Sequence, residues 1–412
     1  MRLRIGCRIR KSNSRQHLDN KIAAIMHILI VPSWYTTPRN PIRGSFFREQ
    51  ALALHKAGHR VGLLVPPSRL RTLNGLSEVA RHWRRPASAL DITNDSGLMT
   101  YRLPWWGWSA SVSPSRRADL VLAAFDRYCA EQGQPDIIHA HSILYGGFAA
   151  VAIRQARGVP VVLTEHAFVY LSPRWIMPDQ YPRIHHTLLH TDANLAVSAA
   201  LARALAAYAP GVQVDVTENI VDTDTFRPPD TALPSAPFTF TIIARLLQNK
   251  GHTMLLRAFA EAFRTKPVRL LIGGDGPQRR RLEHLAAQLD VTGQIDFLGA
   301  LTRQQVRETL WRSHAVISAS RFETFGLTLA EAMACGRPVI ATRSGGPESF
   351  VTLETGLLVP VNDVSALARA MQQMIAQYDQ YDPDRIRAYC VERFSEAAIV
   401  RHLESIYTRI AR

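Results

Sequence analysis

The sequence has little of what marks an extracellular, membrane-spanning or metal-stabilised protein. Its 412 residues contain only four cysteines, scattered and without a C-x-x-C pair. This argues against a disulfide framework and a zinc site, and favours a reducing compartment. No run of about 18 apolar residues is free of charge, so no transmembrane helix is predicted. The first 25 residues lack the apolar core of a signal peptide. We therefore expect a cytoplasmic protein.

The charge of the chain is unevenly distributed. Residues 1–219 carry 26 Lys and Arg against 14 Asp and Glu, whereas residues 220–412 carry 23 against 20. A basic first half favours an anionic membrane surface or an anionic acceptor. Nucleic acid is not expected as a partner, because no RNP aromatics, zinc-finger spacing or basic region with heptads accompanies the charge. We expect peripheral contact with the cytoplasmic face of a membrane.

The leader at residues 1–25 holds seven Lys or Arg against one acid and has no clear period. Such basic runs are usually solvated and disordered. The chain then continues at Met26 with a buried-strand pattern, "MHILIVP". We expect the leader to be disordered or not native; a basic membrane-binding arm is the alternative.

Strand-like apolar runs alternate with helical patterns throughout, which indicates βαβ units and doubly wound parallel sheets. A chain of this length exceeds what one core usually supports, and a proline-rich stretch divides it. We predict an α/β protein with two Rossmann-like, doubly wound domains facing a cleft: residues 26–219, a linker at 220–237, and residues 238–394. The predicted strands are 27–32, 60–66, 136–141, 159–166 and 194–198, then 238–244, 268–274, 294–299, 315–320, 338–342 and 356–360. The predicted helices are 46–57, 115–132, 146–157, 252–264, 277–289, 303–313, 363–376 and 395–411.

Polar residues that follow the strands are the candidate ligand contacts, because open parallel sheets bind ligands beyond the carboxyl ends of their strands. After the strand at 238–244, "RLLQNKGH" places Arg245 and Lys250 before a helix. Two cations and the free N–H groups of a helix start suit a diphosphate, although two solvated cations are the alternative. After the strand at 268–274, "GGDGP" forms a glycine-rich turn around Gly274. It is not the full G-x-G-x-x-G pattern, which counts against a nicotinamide dehydrogenase.

The most specific pattern is "SRFETFGLTLAEAMACGRP", which follows the strand at 315–320. Glu323 falls in the loop, and the next helix carries Glu331. Three backbone N–H groups at the helix start are expected to face an anion. These groups belong to Phe325, Gly326 and Leu327. Because a carboxylate accepts two hydrogen bonds, we expect Glu323 beside sugar hydroxyls and Glu331 on both hydroxyls of a ribose.

This block resembles the E-x7-E signature of the retaining glycosyltransferases of family 4, which have the GT-B fold. The resemblance covers nearly all of residues 26–412 and includes "PIRGSFFREQALALHKAGHRV", "DIIHAHS", "TEH", "ENIVDTDTF", "ARLLQNKG" and "GGDGP". It implies transfer of a sugar from a UDP- or GDP-linked donor to a glycan or lipid-linked acceptor, in cell-surface polysaccharide or glycolipid biosynthesis. It also implies that the second domain binds the donor, and that the helix at 395–411 packs back on the acceptor-side first domain.

The resemblance assigns roles to individual residues. Arg245 and Lys250 are expected to bind the donor diphosphate and Glu331 the ribose. Glu323 is expected to contact the donor sugar. The departing nucleoside diphosphate would be stabilised electrostatically by the two cations and by helix N–H groups, without a metal. No cofactor is expected beyond the nucleotide-sugar co-substrate.

The first domain contributes three further candidates. By similarity, His166 lines the catalytic centre, and Gly44 lies in the loop that approaches the donor. The family often has paired glycines at that loop, whereas this chain has one. His141, at a strand end, is a candidate on the acceptor side.

Several other interpretations are less favoured. "DTD" at 222–224 resembles a metal motif but lies in the linker, and His186 and His190 lack a third ligand, so no metal is predicted. A non-catalytic nucleotide-sugar sensor, a family-4 transferase acting on a soluble small molecule, and a nucleic-acid binder stay open as alternatives.

Overall fold

The first of two β-sheets occupies the first half of the chain. The computed structural model describes residues 25–37, 43–66, 90–103, 114–231 and 236–411. The strands of this sheet are β1 (His27–Pro32), β2 (Arg60–Val65), β3 (Asp91–Asp95), β4 (Leu98–Arg102), β5 (Ile137–His141), β6 (Val161–Glu165), β7 (Ala193–Ala196) and β8 (Val214–Val216). They lie in the order β3-β4-β2-β1-β5-β6-β7-β8, and only the β3–β4 pair among them is antiparallel.

The second sheet is parallel throughout its described strands. Its members are β9 (Phe238–Ile243), β10 (Val268–Gly273), β11 (Ile295–Gly299), β12 (Ala315–Ser318), β13 (Val339–Thr342) and β14 (Gly356–Val359). They lie in the order β11-β10-β9-β12-β13-β14. The prediction of two doubly wound α/β domains is confirmed.

Helices cover the sheets. In the first half they are α1 (Ser45–Lys56), α2 (Pro114–Gln132), α3 (Phe148–Arg157), α4 (Tyr181–Leu189) and α5 (Ala199–Ala206). In the second half they are α6 (His252–Phe263), α7 (Arg279–Gln288), α8 (Arg303–Trp311), α9 (Leu327–Ala334), α10 (Val364–Ala376), α11 (Pro383–Phe394) and α12 (Glu396–Ile410). Side-chain caps start four of the second-half helices, because a cap oxygen satisfies a first-turn N–H. The capping residues are Thr302, Asp363, Asp382 and Ser395.

All eleven predicted strands are present, but the sequence patterns did not predict β3, β4 or β8. The strand β3 reads Asp-Ile-Thr-Asn-Asp, and three of its five residues, the two Asp and the Asn, are of types depleted in strands. Its pairing with β4 depends on a two-residue turn at Ser96 and Gly97, both at positive φ, which is a hairpin geometry. The strand β8 has only three residues at a sheet edge, too few for a periodic signal.

The last helix, α12, packs on the first domain. Its residue Tyr407 is fully buried and its hydroxyl lies 2.6 Å from Nδ1 of His139 in β5. Glu404 lies 3.0 Å from Nε2 of His59, and Leu403 belongs to the same buried cluster as Ile28 of β1. The helix therefore supplies part of the core that covers the first sheet.

Candidate active site

Loops at the carboxyl ends of the two sheets touch each other. Trp175 lies in the segment after β6 and Phe322 in the loop after β12, with ring centroids 4.5 Å apart. A Cβ added at Gly345, after β13, would lie 3.4 Å from Leu171 of the first domain. The strand ends at which doubly wound sheets bind ligands therefore face each other.

Lys250 and Glu323 form an ion pair at this junction. Lys250 Nζ donates to Glu323 Oε2 at 2.6 Å, and both side chains are largely shielded from solvent. The loops that carry them are joined by a backbone bond from Arg321 to the Asn249 carbonyl, 2.8 Å long. A Cβ at Gly251 would overlap the carbonyl oxygen of Ala319, so the loop needs glycine to lie this close to β12. The fold thus brings together a cation and an acid that are far apart in sequence.

Arg245 and Gly274 lie on two turns that contact each other, at the carboxyl ends of β9 and β10. Arg245 is exposed. A Cβ at Gly274 would overlap the Ala244 carbonyl oxygen, and the Leu246 N–H donates to the Asp275 carbonyl at 3.0 Å. The observed contact of Gly274 is therefore with the backbone that positions Arg245; its contact with a donor stays a prediction.

The helix α9 starts beside Glu323. Gly326, with a φ of 102°, is its N-cap, and no side chain caps it. First-turn N–H groups of a helix have no intrahelical acceptor, so those of Leu327 and its neighbours are available to a ligand. Phe325 is buried, with its ring centroid 5.3 Å from that of Phe350. The Glu323 carbonyl accepts a bond from the Gly346 N–H at 2.7 Å, which fixes the loop.

Glu331 lies next to an arginine that contacts both domains. Arg303 Nη1 is 3.8 Å from Glu331 Oε1 and 2.9 Å from Glu49 Oε1 of α1. Arg303 Nη2 is 3.6 Å from Asp222 Oδ2, and the guanidinium lies 4.9 Å from the centre of the Phe226 ring. One cation therefore links the predicted ribose carboxylate to the first domain and to the linker. The sequence patterns do not predict that Arg303 or Glu49 belongs to the site. The available signal for Arg303 is its position shortly after the end of β11, where ligand-binding residues of a parallel sheet are expected.

Burial controls the protonation of these acids. Glu331 is 7% exposed. Loss of hydration raises the pKa of Glu331 to about 8, an effect that Arg303 opposes and that Glu49 and Asp222 reinforce. Burial likewise raises the pKa of Glu49. At neutral pH the free protein therefore holds a proton on Glu331.

The pH dependence of stability tests whether Glu331 is protonated at neutral pH. The folded-state pKa of Glu331, about 8, lies above its ordinary value of 4.5, so the folded protein binds more protons between these values. Its contribution to the free energy of unfolding is present at low pH and is lost as the pH rises through about 8. We expect wild type to lose stability relative to Glu331→Gln, whose amide does not titrate, between pH 5 and pH 8. Urea unfolding of both proteins at several pH values measures this.

The control is Glu354→Gln, which removes an exposed acid of the same domain. A stability difference between wild type and Glu331→Gln that stays constant over this pH range would contradict the buried, protonated Glu331.

Three histidines form a buried cluster in the first domain. His141 Nδ1 lies 3.1 Å from His166 Nε2, and His139 also bonds Thr164 at 2.7 Å. Burial lowers the pKa of His139 and of His166 to about 3 and places that of His141 well below its ordinary range, so all three rings are neutral at pH 7. His141 is fully buried and contacts His166 rather than solvent.

Two features fix the position of His166. The rings of Phe46 and Phe47, at the start of α1, lie 4.9 and 5.0 Å from it. Gly44 precedes this helix as its N-cap, beside the carbonyl of Trp34. Glu165, fully buried, accepts the N–H groups of His166 at 2.7 Å and of two other residues, an anchor that the sequence patterns did not predict.

This arrangement of two facing doubly wound domains is that of the GT-B glycosyltransferases. The structure of Anabaena HepE in complex with UDP and glucose matches with a TM-score of 0.69 at 17% identity, covering 93% of this chain and 100% of that one. Residues 44–225 match the family model described as Glycosyltransferase Family 4, and residues 224–392 match the model described as Glycosyl transferases group 1. The chain belongs to glycosyltransferase family 4.

Curated relatives agree with this assignment. One component of the phosphatidylinositol N-acetylglucosaminyltransferase of Arabidopsis thaliana is 25% identical over 76% of this chain and 70% of its own. N-acetyl-alpha-D-glucosaminyl L-malate synthase of Bacillus anthracis is 27% identical over 71% of this chain and 80% of its own.

Proposed function

We propose that this protein is a retaining, metal-independent glycosyltransferase that uses a UDP- or GDP-linked sugar. The acceptor is a glycan or a lipid-linked molecule in cell-surface polysaccharide or glycolipid biosynthesis. The observation that carries the proposal is the Lys250–Glu323 ion pair at the start of α9, with the buried Glu331 eight residues further along the chain. The UDP bound to the structurally similar HepE supports a nucleoside diphosphate donor.

In the donor complex, the diphosphate lies between Arg245, Lys250 and the first-turn N–H groups of α9. Negative charge grows on the β-phosphate as the bond to the sugar breaks, and these fixed groups stabilise it in the transition state. Lys250 turns from Glu323 towards the phosphate, which leaves the Glu323 carboxylate free to accept sugar hydroxyls. Hydrogen bonds from the two ribose hydroxyls favour the charged form of Glu331, which releases to solvent the proton it holds in the free protein and accepts both hydroxyls as a carboxylate. These cations and N–H groups supply the stabilisation that a metal ion supplies in other transferases.

His166 lies on the opposite, first-domain side of the reacting sugar in this proposal. The acceptor enters from the first domain and attacks the face that the nucleoside diphosphate vacates, which retains the anomeric configuration. Glu323 positions the sugar and forms no covalent bond to it. The neutral ring of His166 suits a hydrogen-bond acceptor for a hydroxyl group. Its pKa of about 3 makes it too weak a base to take the proton, which passes instead to the departing diphosphate.

The first domain is also proposed to contact an anionic membrane surface from the cytoplasmic side, supported by its excess of basic residues. Among the described residues, no helix has the length and apolar character needed to cross a bilayer.

A thermal shift series with UDP, GDP, ADP and TDP tests the donor site. A nucleotide at about 100 times its Kd stabilises the folded state by about 2.7 kcal/mol, equivalent to a Tm increase of several degrees. We expect an increase with UDP or GDP in wild type and its loss in Glu331→Ala. The exposed Glu354→Ala serves as the control, and it should keep the shift. No shift with any nucleotide in folded wild type would overturn the donor site. A shift without turnover of any UDP- or GDP-sugar would instead favour a sensor.

A further inference from the structure

Three aromatic rings and one arginine form a cluster where the domains meet. We call Phe168, Arg174, Trp175 and Phe322 the junction cluster. The Trp175 centroid lies 5.4 Å from that of Phe168 and 4.5 Å from that of Phe322, both edge to face. The Arg174 guanidinium lies 5.3 Å from the centre of the Trp175 ring and 5.8 Å from that of Phe322. Rings from both domains therefore hold this guanidinium.

The position of the junction cluster ties it to the reaction. Phe168 follows His166 by two residues, and Phe322 directly precedes Glu323. Hydrogen bonds fix both loops: the Glu165 carboxylate accepts the His166 N–H on one side, and the Glu323 carbonyl accepts the Gly346 N–H on the other. The cluster therefore lies at the boundary between the domain proposed to hold the acceptor and the loop proposed to hold the donor sugar.

The chemistry of the cluster defines what it can bind. Phe168 is 39% exposed, and the nearby Met177 and Tyr181 of the same segment are 60% and 40% exposed. Partly exposed rings offer an apolar face to a sugar or polyol. Arg174 forms no ion pair with any acid in the described part of the chain. A guanidinium with free donors binds phosphate or carboxylate through two parallel hydrogen bonds.

We propose that the junction cluster is an acceptor subsite, in which Arg174 binds a phosphate or carboxylate of the acceptor and the rings hold its hydroxylated carbon skeleton. The proposal rests on the function proposed above. It specifies an anionic acceptor, a class that includes phosphatidylinositol and L-malate, the molecules named for the two relatives. Because Trp175 and Phe322 come from different domains, the subsite is complete only when the domains are together.

Titration calorimetry on the full chain, saturated with the nucleoside diphosphate that stabilises it, tests the subsite. The anionic probes are L-malate, inositol 1-phosphate, and phosphatidylcholine vesicles containing phosphatidylinositol. The matched neutral probes are myo-inositol and pure phosphatidylcholine vesicles. We expect inositol 1-phosphate or the phosphatidylinositol vesicles to bind tenfold or more tightly than the matched neutral probe, or L-malate to bind tenfold or more tightly than myo-inositol. Binding of a soluble anion indicates a soluble acceptor, and binding of the phosphatidylinositol vesicles alone indicates a lipid headgroup.

Variants separate the roles within the cluster. Arg174→Gln should weaken binding of the preferred anionic probe at least tenfold and leave binding of the neutral probes unchanged. Trp175→Leu should weaken binding of both the anionic and the neutral probes. Arg203→Gln, which removes an exposed arginine of α5, should leave every probe at the wild-type affinity.

Two results overturn the subsite. One is the absence of any preference for an anionic probe, and the other is an Arg174→Gln variant that binds the preferred probe as tightly as wild type. Titration of the nucleotide alone distinguishes this failure from that of the donor site. If wild type binds the nucleotide but shows no preference for an anionic probe, only the subsite is overturned. If wild type binds no nucleotide, both the donor site and the subsite are overturned.

Discussion

Replacing Lys250 by methionine should lower the turnover of the nucleotide-sugar donor by about 100- to 1,000-fold, the usual effect of removing one group that stabilises charge in a transition state. The ammonium lies 2.6 Å from Glu323 and is largely shielded from solvent, so its charge acts at short range. Methionine keeps the length of the side chain and removes only the charge. Because the charge on the β-phosphate grows as the bond breaks, kcat should fall by more than donor affinity does. Single-turnover release of the nucleoside diphosphate measures the effect.

The matched control for this experiment is Lys56→Met. Lys56 is 65% exposed and pairs with Glu396 at 3.0 Å on the outside of the first domain. Exposed ion pairs contribute little to stability, so this variant should retain wild-type turnover and nearly all of its stability. If Lys250→Met stayed within tenfold of wild type while remaining folded, Lys250 would not be the group that stabilises the leaving diphosphate.

The second large effect is expected at Gly251. Gly251→Ala introduces a Cβ that would overlap the Ala319 carbonyl oxygen, in a backbone conformation with φ of 74° that alanine tolerates poorly. We expect a loss of about 2–4 kcal/mol in the free energy of unfolding, from backbone strain and overpacking together. The loop that carries Lys250 must also shift, so nucleotide affinity should fall. Urea unfolding and nucleotide titration measure the two effects.

Gly158→Ala isolates the steric part of this effect. Gly158 also has a φ of 74°, but nothing lies within 4 Å of an added Cβ. It should lose about 1–2 kcal/mol from backbone strain alone and keep wild-type nucleotide affinity. If Gly251→Ala and Gly158→Ala lost the same free energy of unfolding, the overlap between the added Cβ and Ala319 would contribute nothing to the loss.

The sequence predicts local features of the fold well and distant contacts poorly. Buried parallel strands such as β1 and β10 were predictable because each is a nearly continuous apolar run bounded by turns. The helix α12 was predictable from its amphipathic pattern, but only the family resemblance indicated where it packs. The hairpin of β3 and β4 was missed because its residue types favour loops and its turn is specified by backbone geometry.

The same distinction holds at the candidate site. The spacing of Glu323 and Glu331 and the turn around Gly326 were readable from the sequence, because one loop and one helix carry them. The contact between Arg303 and Glu49 joins residues 254 positions apart, and no local pattern encodes it. Nor does a sequence reveal how completely folding removes water from Glu331, which sets its pKa.

The location of α12 has a consequence for biosynthesis. A ribosome completes the strands of the first sheet long before it reaches Tyr407, yet that side chain and Leu403 fill the core beside β1 and β5. Until α12 is made, the nascent chain exposes apolar surface that this helix later covers, and exposed apolar surface promotes aggregation. Of the two domains, the first to be synthesised is therefore the last to be completed. A chain cut short after Phe394 would lack part of the first domain's core while retaining every described strand of both sheets.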